Sequence, residues 1–543
     1  MAETPDLFLR KATGLIRSWS VMDAFIYAFF SVNLVTLGLY TMSQAYAFEG
    51  GMVPALIVSA VLILAEIVVY AGLIAVMPRA GGDYVWQSRI LGGGVGFVLA
   101  MTGWCFILWL WTPLYADMLR QVVLVPLAAV LGFKDAALAI ASSPLAWFAV
   151  CLLTCVFVYF VIAMGMKSYA RVQKFCFWAG NAGLVAVIVL LFAGNSGAFA
   201  SQFDASASRL FGLKDAYAAI QAAGKAAGAT TPMLGGGIGQ IFLLMPFLAF
   251  FNLWPNWGAT LYGEVKGSQD FKKNFIGMAA ALLVTTVLAV ILVFAIHKGI
   301  GWGFYMNANA AYWSSRWGLA TGPAVMPVWP YPALLALMSV PSTLLRVLIL
   351  AAMAMWFFGW AGTIYLSSTR ILFSASFDRL LPEAMARINP KTRTPTNALL
   401  FMIVPGLLVS ALFVFNVWNF SSLTLVSTLV IAVTFLGTGI AAVLLPFTKR
   451  SLYEASPLAR FKLGKLPLIS VFGLVYCAFL AFLLYEWIVD PGNHYGISYR
   501  NVPSVLFMVL LYALAAAIYA GMRIYRRRSG IDVDKIYGEI PVE

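Results

Sequence analysis

An interrupted apolar run offers the clearest place for chemistry in this sequence. Residues 236–262 are mainly apolar but contain Pro255, which lacks a backbone N–H and leaves an upstream carbonyl without its helical partner. Such a carbonyl can accept a hydrogen bond from an ammonium group. The alternative is a kink whose carbonyls are satisfied by neighbouring helices. The candidate contacts around the proline are Phe250, Phe251, Asn252, Leu253, Trp254 and Asn256.

One ionisable side chain lies in the middle of another apolar run. Glu66 is the sole charged residue of residues 53–77. A carboxyl group in such surroundings is costly and is usually functional. It can act as a protonatable coupling residue that burial keeps neutral, or it can pair with a polar group elsewhere in the fold. The sequence leaves both interpretations open.

Residues that usually build metal and cofactor centres are few and dispersed. The two histidines, His297 and His494, lie near the ends of apolar runs, and the five cysteines lie inside such runs. Membrane-bound redox enzymes need haem or metal ligands, usually several histidines, and no cluster of histidine and carboxylate is visible. We therefore predict no catalytic residue, no metal site and no cofactor.

The composition indicates that lipid covers most of the chain. Hydrophobic residues make up 62% of the 543 residues and charged residues 10%, whereas soluble domains carry about 25% charged residues. A membrane span needs about 20 mainly apolar residues. That template finds twelve runs, at 20–46, 53–77, 94–124, 144–164, 170–194, 236–262, 275–300, 343–373, 397–416, 420–446, 466–489 and 503–523.

The basic residues predict the orientation in the membrane. The formal net charge is +14, but the 35 Lys and Arg residues are dispersed in short loops, so nucleic acid is not an expected partner. Most of them fall in alternate loops, which places both termini in the cytoplasm by the positive-inside rule. On the opposite side, the aromatic-rich residues 301–332 form either a cap over the helices or, as the simpler interpretation, an interfacial aromatic belt.

Four motifs fall in or beside the loops between these runs. Residues 78–86 read Pro-Arg-Ala-Gly-Gly-Asp-Tyr-Val-Trp, residues 170–173 Ala-Arg-Val-Gln, and residues 263–266 Gly-Glu-Val-Lys, while Arg370 to Pro382 follows run eight. The series resembles the amino acid–polyamine–organocation (APC) superfamily over nearly the whole chain. In that superfamily the first motif is a cytoplasmic gate loop, which implies gating roles for Pro78, Arg79, Gly81, Gly82 and Tyr84.

The resemblance implies an all-α integral membrane protein of twelve transmembrane helices. Its core is a 5+5 inverted repeat (LeuT-like), followed by two C-terminal helices. Runs one and six are implied to be discontinuous, so that free backbone groups face a substrate. The implied parts are a cytoplasmic N-terminus 1–19, a first repeat 20–194, an extracellular loop 195–235, a second repeat 236–446, two further helices 447–523 and a cytoplasmic tail 524–543.

The resemblance also implies contacts in runs one, five and eight. The family's Gly-Ser-Gly break is replaced by Thr36-Leu37-Gly38, whose backbone is implied to bind a carboxylate, with Asn33 as a further contact. Some members carry a coupling lysine in run five, where the equivalent stretch of this chain, Trp178-Ala179-Gly180-Asn181, has no lysine. Related folds bind sodium through hydroxyl groups of run eight, although such hydroxyls also bond to their own helix. The coupling-ion candidates are Glu66, Asn181, Thr363 and Ser367.

Together these features predict a secondary active transporter of amino acids in the cell membrane. It would work by alternating access, as an H⁺- or Na⁺-coupled symporter or as an exchanger. The aromatic residues around Pro255 favour neutral or apolar amino acids. A polyamine or organocation transporter and a non-transporting amino acid sensor stay open as alternatives. A channel would need a repeated filter motif or a ring of charges, and none is visible.

Overall fold

The computed structural model describes residues 15–320, 325–420, 427–492, 495 and 498–538. Most of these residues are helical. Two short strands, Lys462–Leu463 and Leu466–Pro467, pair as an antiparallel hairpin. His494 and parts of the terminal segments 1–19 and 524–543 lie outside the described residues, so the predictions for them are not addressed by the fold.

Eleven helices of the described chain are long and apolar enough to cross a membrane. We number them by the apolar run that each contains. Spans one to five are Val21–Gln44, Met52–Val76, Gly93–Val130, Pro144–Ala163 and Met166–Ala193. Spans seven to twelve are Phe271–Gly299, Thr343–Phe377, Thr396–Val414, Thr428–Thr448, Leu468–Val489 and Val502–Arg528.

The sixth apolar run is interrupted, which is why twelve predicted runs correspond to eleven continuous helices. It forms three short helices, Ile238–Leu243, Met245–Asn252 and Pro255–Glu264, the last of which is a 3₁₀ helix. We call Ile238–Glu264 the broken segment. Its pieces pack against spans one, two and eight, so the interruption lies inside the helix bundle.

Several spans change helix type or direction along their length, and shorter helices connect them. Span one consists of Val21–Val32, Leu34–Gly38 and Leu39–Gln44. Span three consists of Gly93–Met101, Thr102–Phe106, Ile107–Leu110, Trp111–Leu119, Arg120–Leu124 and Val125–Val130, and span eight of Thr343–Trp360 and Thr363–Phe377. The shorter helices are Gly82–Ile90, Lys134–Ser142, Ser196–Phe211, Ala216–Ala226, Trp302–Arg316, Pro332–Leu337, Glu383–Ala386, Arg450–Glu454, Pro457–Arg460 and Val533–Ile536.

Large apolar side chains cover the outside of the peripheral spans. Leu145 and Phe160 on span four, Trp178 on span five and Leu510 on span twelve are all exposed. In water such a surface would be strongly unfavourable, at roughly 25 cal/mol per Å² of exposed apolar area. The helices satisfy their own backbone groups, as a hydrocarbon environment requires. The exterior therefore suits lipid.

Seven of the eight aromatic residues in the segment 301–332 are buried in protein, with Trp317 exposed, which corrects the interpretation as an interfacial belt. The helix Trp302–Arg316 packs on the end of span one. The indole N–H of Trp313 donates to the Ser43 hydroxyl at 2.9 Å, and the Trp313 ring lies 5.0 Å from that of Tyr40. The helices Ser196–Phe211 and Ala216–Ala226 complete this cap.

An ion-pair network anchors the cap to span three. The Asp117 carboxylate accepts hydrogen bonds from Arg120 at 2.6 Å and from Arg316, in the cap helix, at 2.8 Å. Both arginines also lie over the Trp147 ring. The cap is therefore held to the bundle by charge as well as by packing. We call this the cap end, and the opposite end, which carries residues 78–92, the gate-loop end.

Candidate functional site

The interruption in span one lies at Asn33. Its backbone is left-handed, with φ of 46° and ψ of 86°, a conformation that asparagine tolerates better than most residues. The Asn33 side chain accepts from the N–H of Thr36 at 3.0 Å and donates to the Trp356 carbonyl at 3.2 Å. The break thus lies three residues before the predicted Thr36-Leu37-Gly38 stretch, which forms part of a π-helical turn.

Gly38 is a point of close approach between span one and the broken segment. A Cβ at Gly38 would lie 2.8 Å from ring atoms of Phe251, so a larger residue would force the two elements apart. The N–H of Gly38 donates to the Asn33 carbonyl at 2.8 Å. Glycine is therefore needed here for space, while the break itself comes from Asn33.

We expect Gly38→Ala to destabilise the fold, because overpacking of a close contact costs about 1–3 kcal/mol. The measurement is the apparent Tm of the purified protein in detergent. Gly277→Ala is the matched control, because that helical glycine has open space around its Cβ position. An equal or higher Tm for Gly38→Ala would show that span one and Phe251 are not in tight contact.

The broken segment is interrupted at Leu253 and Trp254. The helix Met245–Asn252 ends there, and Pro255 begins the next turn without an N–H to donate to the Phe251 carbonyl. The indole N–H of Trp254 donates to the Phe250 carbonyl at 2.7 Å, which satisfies one of the freed groups. The structure thus places a proline-induced break where the sequence predicts one.

A small central cavity of about 10 Å³, with room for about one water molecule, lies between the two interrupted elements. Every residue that lines it is buried, so it is closed to solvent at both ends. Spans one, three and eight and the broken segment each contribute two side chains. They are Ser31, Leu37, Trp111, Tyr115, Trp254, Trp257, Trp360 and Thr363.

Aromatic faces form most of the wall of the central cavity. The rings of Trp111 and Trp257 are parallel, 5.9 Å apart, and the ring of Trp254 is perpendicular to both at 5.3 Å. Tyr115 stacks on Trp360 on another side. Among the described residues that line the cavity, none is charged. The cavity is therefore suited to apolar or aromatic groups, or to a cation attracted by ring faces.

The predicted substrate contacts divide into cavity residues and residues with other partners. Leu37 and Trp254 line the cavity. Phe250 packs against the Trp111 ring at 5.7 Å, while Asn252 exchanges hydrogen bonds with the Ser59 hydroxyl of span two at 2.9–3.0 Å. The buried atoms without a hydrogen bond in the described structure include the Thr36 hydroxyl and both amide atoms of Asn256. Phe251 and Leu253 are buried in the packing around the break.

The predicted coupling-ion residues do not converge on one place. Asn181 donates to the Phe177 carbonyl of its own helix at 2.7 Å. Ser367 donates to the Trp257 carbonyl at 2.8 Å and lies 2.7 Å from the Tyr27 hydroxyl of span one. The Thr363 hydroxyl lies 3.3 Å from that of Tyr115. Span eight is thus joined to spans one and three and to the broken segment by hydroxyl contacts, with Glu66 elsewhere.

The gate loop packs directly on the broken segment and span eight. Gly81 and Gly82 have positive φ, and the N–H of Gly81 donates to the Thr260 carbonyl at 2.8 Å. The Ser374 hydroxyl donates to the Ala80 carbonyl at 2.7 Å, and a Cβ at Gly81 would lie only 2.4 Å from that hydroxyl oxygen. Pro78 and Arg79 lead into this turn. The loop needs glycine because backbone meets backbone there.

Two buried ion pairs close the gate-loop end. Arg89 binds both carboxylate oxygens of Asp378, at 2.6 and 2.9 Å, and the Tyr84 hydroxyl donates to the same carboxylate at 2.8 Å. Burial lowers the pKa of Arg89, but Asp378 raises it by more, so the guanidinium stays charged. Arg370 donates to Glu264 at 2.7 Å. The predicted motifs after runs two, six and eight therefore meet in space.

The exterior, the interrupted helices and the enclosed cavity define a multi-pass membrane protein. The chain matches the amino acid permease family over residues 22–514. It belongs to that family, within the APC superfamily, and is an amino acid transporter. No curated protein matches the chain.

Sequence reasoning missed five of the residues that line the central cavity. Trp111 and Tyr115 are four residues apart in a run crowded with tryptophan, and this clustering was the available signal. Trp360 lies beside Gly362, where span eight is interrupted. Ser31 and Trp257 gave no signal beyond their closeness to the two breaks.

Proposed function

We propose that this protein is a secondary active transporter that moves neutral amino acids with apolar or aromatic side chains by alternating access. The observation that carries the proposal is the central cavity, enclosed between two interrupted helices and walled by tryptophan rings, with no charged side chain among the described residues that line it. Transfer of the substrate's apolar side chain from water to a surface formed by these rings would favour binding. The α-ammonium and α-carboxylate groups would be met by backbone groups at the breaks.

Recognition of the substrate's α-ammonium and α-carboxylate groups depends on which backbone groups of the protein are free at the two breaks. Pro255 leaves the Phe251 carbonyl without a helical donor, which makes it available to an ammonium group. At span one, the N–H groups of Thr36 and Gly38 already donate to Asn33. A substrate carboxylate would compete with Asn33 for them, so substrate binding would loosen the Asn33 cap and bias span one towards movement.

The alternating movement would use the two closures around the cavity. The gate-loop end is held by Arg89–Asp378 and Arg370–Glu264, and the cap end by Asp117–Arg316. With both ends closed and room for only about one water molecule between them, the structure would correspond to a closed state whose cavity widens when a substrate enters. Release of substrate at one end requires the ion pairs of that end to separate while those of the other end stay formed.

The membrane arrangement belongs to the same proposal. We place both termini and the gate loop in the cytoplasm and the cap outside, in the cytoplasmic membrane, with residues 20–194 and 236–446 as two inverted five-helix repeats. The interrupted elements are the first of each repeat and touch at Gly38 and Phe251. Residues 447–523 would then be the two added helices.

A small organocation is the second candidate substrate. Ring faces attract alkylated ammonium groups, by about 0.5–2 kcal/mol for each contact, and the cavity has several. A polyamine is less well matched, because the described lining offers no carboxylate for its additional charges. A sensor that binds the same amino acids without moving them would share the cavity but not the transport.

The test is counterflow in liposomes that contain the purified protein. Each vesicle preparation is loaded with one unlabelled amino acid, polyamine or quaternary amine, and entry of trace labelled substrate is followed. Saturable accumulation with apolar or aromatic amino acids is the expected result. Accumulation with quaternary amines alone would favour the second candidate. Binding without accumulation would indicate a sensor.

A further inference from the structure

Two carboxyl groups are buried beside the break in the broken segment. Glu66, on span two, and Asp83, on the helix Gly82–Ile90, have no exposed surface. Tyr70 lies one helical turn from Glu66 on span two and donates to the Asp83 carboxylate, which brings the two carboxyl groups near each other. In the described part of the chain, neither forms an ion pair with a lysine, an arginine or a histidine. The pair therefore lacks a neutralising cation there.

Asp83 is held by hydroxyl groups from two spans. Its Oδ1 accepts hydrogen bonds from Tyr70 of span two at 2.6 Å and from Thr438 of span ten at 2.5 Å. Its Oδ2 has no hydrogen bond of standard geometry in the described structure, and the Trp104 indole lies nearby. One oxygen of this carboxyl is thus saturated by donors, and the other is available.

Glu66 faces the broken segment directly. Span two packs on the broken segment and on span eleven, where the backbone N–H of Asn256 and the hydroxyl of Tyr476 are the groups that would stabilise the ionised Glu66 carboxyl. Within the described structure, neither oxygen of Glu66 has a hydrogen bond of standard geometry, and the same holds for the Tyr476 hydroxyl and the Asn256 amide. Several unpartnered polar groups are therefore buried around this carboxyl.

Two ionised carboxylates are not compatible with this environment. An unpaired charge in an apolar interior is costly, and a second like charge nearby raises the cost further. At least one of the two groups must carry a proton in the structure as it stands. Burial raises the pKa of Asp83 to about 6, which is close enough to neutral pH for the proton to exchange.

We infer that Glu66 and Asp83 form one proton-binding site, and that the proton taken up there drives transport. The inference deepens the proposed function and rests on it. The titratable groups that face the pair are the phenols of Tyr70 and Tyr476. These phenols and the hydroxyl of Thr438 can all donate hydrogen bonds to the ionised form. The site therefore suits a proton better than a sodium ion, which needs several free oxygen lone pairs.

The position of the pair connects proton binding to the gates. Asp83 follows Gly81 and Gly82, whose backbone packs on Thr260 of the broken segment. Glu66 faces the same segment one turn earlier, at Asn256. Loss of the proton would leave two negative charges close together, one on span two and one on the helix Gly82–Ile90, and their repulsion would favour movement of the gate loop away from the bundle.

The test compares proton-driven uptake with counterflow in the same proteoliposomes. In wild-type protein we expect uptake under an inward proton gradient to fall as external pH rises through about 6. Glu66→Gln and Asp83→Asn should abolish gradient-driven accumulation and flatten the pH profile, while counterflow continues. Glu454→Gln, at an exposed surface pair, should behave as wild type.

The outcomes separate the inference from the proposed function. Absence of counterflow in the wild type would contradict the proposed function itself. Two results would overturn the proton site while the wild type still shows counterflow. One is proton-driven uptake that is unchanged in both variants, and the other is accumulation that is driven by sodium alone. If a variant folds poorly, the question is decided with detergent-solubilised wild-type protein and a pH indicator. The inference requires that the number of bound protons changes when substrate is added, and no change would contradict it.

Discussion

Trp254→Ala is expected to raise the substrate concentration for half-maximal counterflow by about 30-fold, which corresponds to about 2 kcal/mol of binding free energy. The Trp254 ring is perpendicular to Trp111 and Trp257 and contributes to the wall of the central cavity. Removal of the ring eliminates two favourable contributions to substrate binding, each worth about 1 kcal/mol or more. One is the apolar surface against which the substrate side chain is buried, and the other is the contact between the ring and that side chain.

The control for this prediction uses a tryptophan on the outside of the bundle. Trp178 on span five is exposed, so Trp178→Ala should leave half-saturation unchanged. Trp254→Phe retains an aromatic face and should recover most of the affinity. If Trp254→Ala protein is folded and binds substrate as tightly as wild type, the substrate does not lie against this ring.

Asp378→Asn is expected to have the largest effect on stability. It removes the negative charge that Arg89 binds through two nitrogens and that also accepts from Tyr84. Breaking a buried ion pair on one side costs about 3–5 kcal/mol, because the remaining charge stays buried. The apparent Tm should fall, and hydrogen exchange should increase in the helix Gly82–Ile90, where Arg89 lies.

An exposed ion pair supplies the comparison for Asp378. Arg450 and Glu454 pair at 2.8 Å on the surface, where water and salt screen the interaction. Glu454→Gln should therefore leave Tm and hydrogen exchange unchanged. Equal behaviour of the two variants would mean that the Arg89–Asp378 pair does not hold the gate loop in place.

Local signals were sufficient to predict much of the architecture. Apolar runs predicted the continuous spans because hydrocarbon thickness sets the length of a helix. Pro255 predicted the break in the broken segment, since a missing N–H is a property of that residue alone. The motifs with Gly81, Glu264 and Arg370 indicated the family, and the structure brings them together at the gate-loop end.

The features that sequence reasoning missed depend on contacts between distant residues. The break in span one lies at Asn33 because its side chain caps Thr36 and reaches Trp356, in span eight. The sequence favoured an interfacial belt for residues 301–332 because a buried aromatic-rich segment and an interfacial one have the same amino-acid composition. In the sequence Asp83 is visible only as part of the motif at residues 78–86. Its proximity to Glu66 is not predictable from the sequence, because it follows from the packing of the gate loop on the bundle.

The central claim is that substrate binds in the cavity between span one and the broken segment. The most direct measurement is an experimental structure of the purified protein with the amino acid that gives the strongest counterflow. We predict ligand density bounded by Leu37, Trp254 and Trp360, with its polar end towards the two breaks. Density for the ligand at any other place, with this cavity filled by side chains, would contradict the account.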